Sequence, residues 1–534
     1  MKKRFLTLLA AMTAFATLTF GALTVNAAGR PVTIKSCEIQ GDQVVVTVSA
    51  SSVPGGDGNF YLYANEVYQD GATGKVVATA KAGKSATFTF PLNKNTADSN
   101  LSRKFLVATK SGGGSVQVSD EHYITNPEAS SAVSAARIPA GIKGLLPDGQ
   151  IANSTDLKDL GIQQVVANMH MSDIVGETTN PAFPTIVYPY DGVEYRFNGF
   201  MMQSYANLMK FYNGQGIAVT MTLINDKAAH TADLLHPLAR DAHVSPGYAF
   251  NTVEPAGTAH LKAIAAFLGQ YFNGATGHGQ IDNWVVGNEV NARTEWYYTS
   301  STDLDYNVNA YVKAFRIFYN GIKSENASAR IYNSIDQEWG RLSNPGCLLA
   351  KGYLDRFNYY MRREGNIDWG LSFHPYNSPL FDPYGWMGQK VWVRNDVTTP
   401  YITMQNINIL TDYMQKPEFL NPAGAVRSIS LSEIGFTSSF GQDLQDASIV
   451  FGYLKAKNNP YIDSFMLFRL NDHPHEMLSN IAQGLRTVDG SKKSSYDFYR
   501  AMGTPEEAAY AARASAIMGQ DVYALVKSGA VLTR

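Results

Sequence analysis

Residues 281–291 read Ile-Asp-Asn-Trp-Val-Val-Gly-Asn-Glu-Val-Asn. The apolar run Trp284 to Gly287 has strand character and leads directly into Asn288-Glu289, so a carboxylate is set where a buried strand leaves its sheet. The same event recurs in Ser428–Phe436, Ser-Ile-Ser-Leu-Ser-Glu-Ile-Gly-Phe, which delivers Glu433. The fold is then the architecture that brings two such strand ends together.

On both sides of these stretches, short apolar runs alternate with helical ones. The strands fall near Ile142–Leu146, Gln164–Met169, Ile217–Leu223, Trp284–Gly287, Arg330–Ile335, Trp369–His374, Ser428–Glu433 and Ile462–Leu467. Helices are expected at Ser154–Leu160, Met202–Tyr212, Gly257–Phe272, Asn307–Glu325, Lys351–Glu364, Thr403–Met414, Gln445–Lys457 and Ser494–Met502. This alternation calls for a parallel sheet covered by helices, and eight units predict an α/β (β/α)8 TIM barrel over 138–504. A doubly wound open sheet fits less well: no Gly-rich phosphate-binding turn follows the first strand, and polar groups recur at most strand ends.

Upstream the period changes to two. Val44–Val48, Phe60–Tyr63, Val76–Thr79, Ala86–Phe90 and Phe105–Ala108, separated by Gly, Asn, Asp and Pro, predict a small all-β immunoglobulin-like sandwich over 30–126. An Ala- and Ser-rich linker spans 127–137, and the Ala-rich stretch 505–534 predicts a C-terminal helical extension. Lys2, Lys3 and Arg4, an apolar run and Val25-Asn26-Ala27-Ala28 make residues 1–27 a signal peptide, so the mature protein is expected to be secreted, with no membrane association after cleavage.

Composition narrows the partners. With 44 basic and 46 acidic residues the net charge is -2, which leaves no basic footprint for nucleic acid. Charged residues are only 17% of the chain against a usual value of about 25%, and a neutral, aromatic-rich surface suits an uncharged ligand such as a carbohydrate. The two cysteines, Cys37 and Cys347, provide no disulfide framework and read as buried thiols. A monomer without metal or organic cofactor is expected.

Glu289 ends strand four and Glu433 ends strand seven, two strands whose ends face each other across a barrel mouth. Paired carboxylates there meet the needs of glycosidic cleavage: one protonates the leaving oxygen while the other attacks the anomeric carbon. Gly287-Asn288-Glu289, His374-Pro375-Tyr376 and Ser432-Glu433, in this order over about residues 138–503, resemble the signature positions of clan A retaining glycoside hydrolases. Among these the chain is most similar to a bacterial domain-of-unknown-function family, DUF5722-like. The resemblance implies a polysaccharide- or oligosaccharide-cleaving enzyme with Glu289 as general acid/base and Glu433 as nucleophile. It further implies that Asn288 holds the sugar 2-hydroxyl and that His374 or Tyr376 hydrogen-bonds around the nucleophile.

Further candidates for the sugar pocket are Asn168 and His170 after strand two, Arg469 after strand eight, and the loop tryptophans Trp296 and Trp339, whose flat faces can stack on sugar rings. Asn168-Met169-His170 and Phe468-Arg469 depart from the clan, which commonly has an Arg on strand two and a Trp after strand eight, so the substrate class does not come with the resemblance. The alternative function is a non-catalytic carbohydrate-binding or cell-surface protein on the same barrel; the presence of both glutamates argues against it. A metallohydrolase using His170, His230, His236 and His243 lacks any HExxH spacing.

Overall fold

The computed structural model describes residues 29–178 and 180–534. The signal peptide expected at 1–27 lies outside the described residues.

Eight parallel strands close into a barrel: β1 (Lys143–Leu145), β2 (Gln164–His170), β3 (Ala218–Ile224), β4 (Asn283–Val286), β5 (Arg330–Asp336), β6 (Gly370–His374), β7 (Ile429–Ile434) and β8 (Ile462–Leu467). Each strand pairs with its chain neighbour, and β8 closes on β1 through Phe465↔Lys143 and Leu467↔Leu145. All eight expected strands are present. Most outward positions are apolar: Val165, Met169, Val219, Leu223, Ile331, Leu371, Leu431 and Phe465 all enter the main core beneath the helices, with Asn333 and Lys143 as polar exceptions.

The inward row is different. Branched aliphatics usually fill such barrels, but here hydroxyls and amides bond across strands: Asn283 Nδ2 donates to Thr220 Oγ1 at 3.0 Å, and Ser430 and Ser464 pair through their hydroxyls at 2.5 Å. Two glycines make room for the large inward side chains. A Cβ on Gly370 would lie 2.4 Å from the Tyr332 ring, and one on Gly144 would lie 2.2 Å from Met466 Sδ.

The covering helices begin where the local sequence supplies caps. Asn198 accepts from the amides of Phe200 and Met201 to open Gly199–Gly214, Pro255 opens Pro255–Tyr271, and Asp303 accepts from the Tyr306 amide to open Leu304–Lys323. Further helices cover Ala350–Arg363, Gln442–Lys457 and Ser494–Ala501. The single helix expected at Thr403–Met414 is instead a 3₁₀ turn, Met404–Asn406, followed by Asn408–Met414. At the 3₁₀ turn the Thr403 amide donates to Asn406 Oδ1 at 2.9 Å and the Asn406 amide to Thr403 O at 3.3 Å.

Residues 32–123 form separate antiparallel sheets. Val32–Gln40, Gln43–Ala50 and Ser85–Pro91 make one; Lys75–Lys81, Asn59–Asn65, Lys104–Ser111 and Gly114–Gln117 make the other, with His122–Tyr123 added beside Lys104–Ser111. These sheets contact the barrel's helical flank, where Lys262 pairs with Glu66 at 3.3 Å and Asn320 donates to Leu101 O at 2.8 Å. Near the C-terminus, Glu507–Met518 and Val522–Ser528 pack on Gln442–Lys457, and Leu532–Thr533 pairs with Met387–Gly388 in the loop after β6. Cys37 and Cys347 are buried free thiols. Among the described residues no helix is long and apolar enough to cross a membrane.

Candidate active site

The strand carrying the first glutamate is shorter than its sequence suggests. β4 ends at Val286, and Glu289 stands three residues beyond it in a tight turn. Gly287 takes φ +76°, where a Cβ would meet the Tyr297 ring at 2.9 Å, and Glu289 itself takes φ +40°. The other described non-glycine residues with positive φ are all Asn or Asp, which tolerate this region; glutamate does so at a cost of about 1–3 kcal/mol. Bonds to β5 hold the turn: the Glu289 amide donates to Ser334 Oγ at 3.0 Å and the Val290 amide to Ser334 O at 2.9 Å. Asn291 locks the exit by donating to Asp336 Oδ1 at 2.8 Å and accepting from the Asp336 amide at 3.0 Å.

Glu433 reaches the mouth by another device. Ser430 and Ser432 face the barrel interior, so strict alternation would turn Glu433 outward. Between Leu431 and Ile434, however, β7 carries one residue more than its partner β8 does between Phe465 and Leu467. This bulge re-aims the side chain, and Tyr376 Oη donates to Glu433 Oε1 at 2.6 Å.

His374, the last residue of β6, joins the two. Its Nδ1 lies 2.7 Å from Glu289 Oε1 and 3.9 Å from Glu433 Oε2, and its Nε2 lies 3.1 Å from Ser432 Oγ, which in turn bonds Ser372 Oγ. The first two distances laid end to end bound the separation of these carboxylate oxygens. That bound falls at the lower edge of the 6.5–9.5 Å or so used for inversion and includes the roughly 5–5.5 Å used for retention. The resemblance puts His374 or Tyr376 beside Glu433; Tyr376 bonds Glu433, whereas the direct hydrogen bond of His374 goes to Glu289.

Burial raises the pKa of Glu289, an effect opposed by its hydrogen bond to His374 and reinforced by the charge of Glu433. Burial alone would lower that of His374, but the charge of Glu433 and the bond to Glu289 carry it above the ordinary imidazole value. Asp336 on β5 is a third buried carboxylate. Burial, with the charges of Glu289 and Glu338, pushes it well above the usual range. Among the described residues no group of three or more His, Cys, Asp and Glu could hold a metal ion.

Of the other candidates, Asn288 is buried directly before Glu289. Asn168 is exposed, with its carbonyl accepting from Tyr205 Oη at 3.2 Å. His170 is half-buried, 3.9 Å from Asp226, and lines a surface pocket with Lys227, His243 and Tyr248. Trp296 is half-buried on the loop after Glu289. Arg469 pairs with Glu476 at 3.0 Å. Trp339 corrects the expectation of a stacking platform: it is 0% exposed, donates Nε1 to Val397 O at 3.1 Å and packs edge-on against Tyr413. A tryptophan after a strand end anchors its loop as readily as it binds sugar, and sequence alone does not distinguish the two.

The sequence assigns nothing to Ser334, Ser372, Glu338 or Glu476, and Ser432 enters it only as the neighbour of Glu433 in a motif. The serines had a signal, because they occupy the inward register of strands that carry the site. Glu476 lies in a one-turn helix, Pro474–Met477, too short to show periodicity, and had none.

Residues 135–525 match the model of a family of unknown function, DUF5722. The chain belongs to this family. Comparison with curated proteins gives no match for this DUF5722 member. Among solved structures it is similar to a calcium-binding mutant of Bacteroides uniformis beta-glucuronidase 2, at 12% identity and TM-score 0.39 over 90% of this chain and 50% of that one. It is also similar to a GH2 beta-galacturonidase from Eisenbergiella tayi, at 10% identity and TM-score 0.37 over 89% and 72% of the two chains. A third is a Ruminococcus gnavus beta-glucuronidase, at 12% identity and TM-score 0.36 over 88% and 68%. The chain thus spans half the length of the Bacteroides enzyme.

Proposed function

We propose that this protein is a secreted retaining glycoside hydrolase that cleaves a polysaccharide or oligosaccharide by double displacement and acts as a monomer. The observation that carries the reading is the approach of Glu289 and Glu433 to one imidazole, with Tyr376 bonded to Glu433. Glu433 attacks the anomeric carbon while Glu289 gives its proton to the departing oxygen, forming a glycosyl ester on Glu433. The Tyr376 hydroxyl keeps the attacking carboxylate aligned. Ester formation removes the Glu433 charge that raises the pKa of Glu289, so Glu289 stays ionised after giving up its proton and can take one from the water that cleaves the ester. His374 supports both steps, holding one end of Glu289 and sharing its proton.

The proton on Glu289 also sets the alkaline limb of the reaction. Burial raises its pKa, so the acid form persists above the usual carboxylate range and kcat/KM falls as pH rises through the raised value.

The test is hydrolysis of activated aryl glycosides by the wild type and by Glu289→Gln and Glu433→Gln. Each glutamine variant is expected to lose roughly 10³-fold or more. Azide is expected to restore turnover to Glu289→Ala, since a good leaving group no longer needs the acid and the small anion can reach the glycosyl ester. Full activity in both glutamine variants would refute the assignment.

A further inference from the structure

The loops after β6 and β7, which flank Glu433 at the mouth, leave aromatic side chains in solvent. Tyr376, whose hydroxyl bonds Glu433, opens directly into a tight turn: Asn377 Nδ2 donates to Asp382 O at 2.7 Å and the Asp382 amide to Pro379 O at 2.9 Å. This closed turn lifts Leu380 and Phe381, 40% and 46% exposed, beside the residue that bonds Glu433. From Glu433 itself the chain runs to Thr437, whose hydroxyl donates to Asn480 O at 2.7 Å and accepts from the Ala482 amide at 3.0 Å, so the loop after β8 braces the loop after β7. Phe440 stands three residues further on and is 53% exposed; its ring lies 6.5 Å from that of Phe381 with the planes 50° apart. Phe200, Phe381 and Phe440 are the exposed phenylalanines among the described residues. Scattered exposed apolar residues are ordinary on a protein surface, but a contiguous pair beside a functional group marks a binding surface.

Taking the glycosidase reading as its basis, we infer that Phe381 and Phe440 bind a further sugar unit beyond the one cleaved at Glu289 and Glu433, so that the substrate is a chain of linked sugars rather than a short glycoside. The face of an aromatic ring receives the C–H face of a sugar and releases water from both. The tilt of the pair suits this use. Rings stacked face to face would cover each other, whereas planes 50° apart leave each ring a free face. The surroundings suit it as well. Residues 376–381 read Tyr-Asn-Ser-Pro-Leu-Phe and residues 434–441 read Ile-Gly-Phe-Thr-Ser-Ser-Phe-Gly, which supply hydroxyls and an amide but no ionised group. Asp382, at the end of the turn, is buried and paired with Arg534. A sugar offers C–H faces bordered by hydroxyls, the complement of aromatic faces bordered by serine and asparagine. A protein partner could also cover apolar surface, but this surface is continuous with the cleavage site: Phe381 is five residues past Tyr376 and Phe440 seven past Glu433.

The experiment measures kcat/KM on 4-nitrophenyl monoglycosides and on di-, tetra- and hexasaccharides from cellulose, xylan, mannan, laminarin and starch. The wild type is expected to favour its best hexasaccharide over the disaccharide of the same series by about tenfold or more. Phe381→Ala and Phe440→Ala are each expected to lower the ratio of hexasaccharide to monoglycoside kcat/KM about three- to tenfold, chiefly through KM. Phe440→Tyr keeps the ring face and is expected to hold that ratio within about twofold, while Phe440→Leu keeps only apolar bulk and is expected to behave as the alanine variant does. That contrast separates stacking from a folding defect and from a protein contact. A wild type without preference for longer chains, a ratio unmoved in both alanine variants, or a ratio that Phe440→Leu preserves overturns the inference and leaves the glycosidase reading intact. Failure to cleave either series overturns the glycosidase reading, and the inference falls with it.

Discussion

The two ends of the barrel both bury charge, and they treat it in opposite ways. At the base Asp282 is satisfied on both oxygens: Gln280 donates to Oδ1 at 2.9 Å, the Val219 amide to Oδ2 at 2.9 Å, and Arg137 to Oδ2 at 3.1 Å. At the mouth Glu289, Asp336 and Glu433 crowd together, and among the described residues the only ion-pair partner of the two glutamates is His374. Burial raises the pKa of Asp282 and of Asp336 alike, so the shift does not separate structural charge from functional charge. The supply of partners does. The base is built to hold its charges; the mouth keeps its carboxylates under-satisfied, as a site must if a substrate is to complete it.

Mutations at the two ends should therefore differ in kind. Apart from the two glutamates themselves, the largest effect is expected for His374→Ala, which separates the mouth's carboxylates from their shared partner: kcat/KM should fall roughly 100-fold or more, with cooperative thermal unfolding retained. A loss below threefold would remove His374 from the mechanism.

Next come two matched substitutions. Asp282→Asn at the base presents an NH₂ where a donor already points, and should cost about 1–3 kcal/mol by denaturant titration. Asp336→Asn at the mouth keeps the acceptor that Asn291 and the Glu338 amide use, because both bond Oδ1. It removes a buried charge without a cation and should gain about 0.5–2 kcal/mol. Its pH dependence has a definite sign. A carboxyl whose folded pKa is raised binds more protons in the native state, so its unfavourable contribution is absent below the unfolded value of about 4 and grows as pH rises toward the folded one. The gain from Asp336→Asn should accordingly be seen at pH 7 and vanish near pH 4. Equal signs for the two variants would end the distinction between base and mouth.

The smallest effect is expected for Ser432→Ala, which removes the hydroxyl at His374 Nε2 and should lower kcat/KM about three- to tenfold. No change would show that His374 is held by Glu289 alone.

Most of this architecture is legible in the chain because outward barrel positions are apolar and helices intervene at regular length; all eight strands follow from that pattern. Glu289 and Glu433 stand out because each follows an apolar run. The geometry that makes them neighbours does not stand out. The left-handed backbone at Glu289 depends on Ser334 of the next strand, and the bulge at Glu433 depends on register against β8. Both are tertiary facts with no local signature. Trp339 shows the converse: its residue type and loop position suggest a sugar platform, yet a neighbouring loop covers it.

The central claim is that Glu433 is the nucleophile opposite Glu289, and trapping the intermediate tests it most directly. A panel of 2-deoxy-2-fluoro glycosides with activated leaving groups, followed by proteolysis and mass spectrometry, should give one added sugar per chain on the peptide containing Glu433, and none with Glu433→Gln. A label on another residue, or hydrolysis that proceeds with inverted anomeric configuration, would contradict the account.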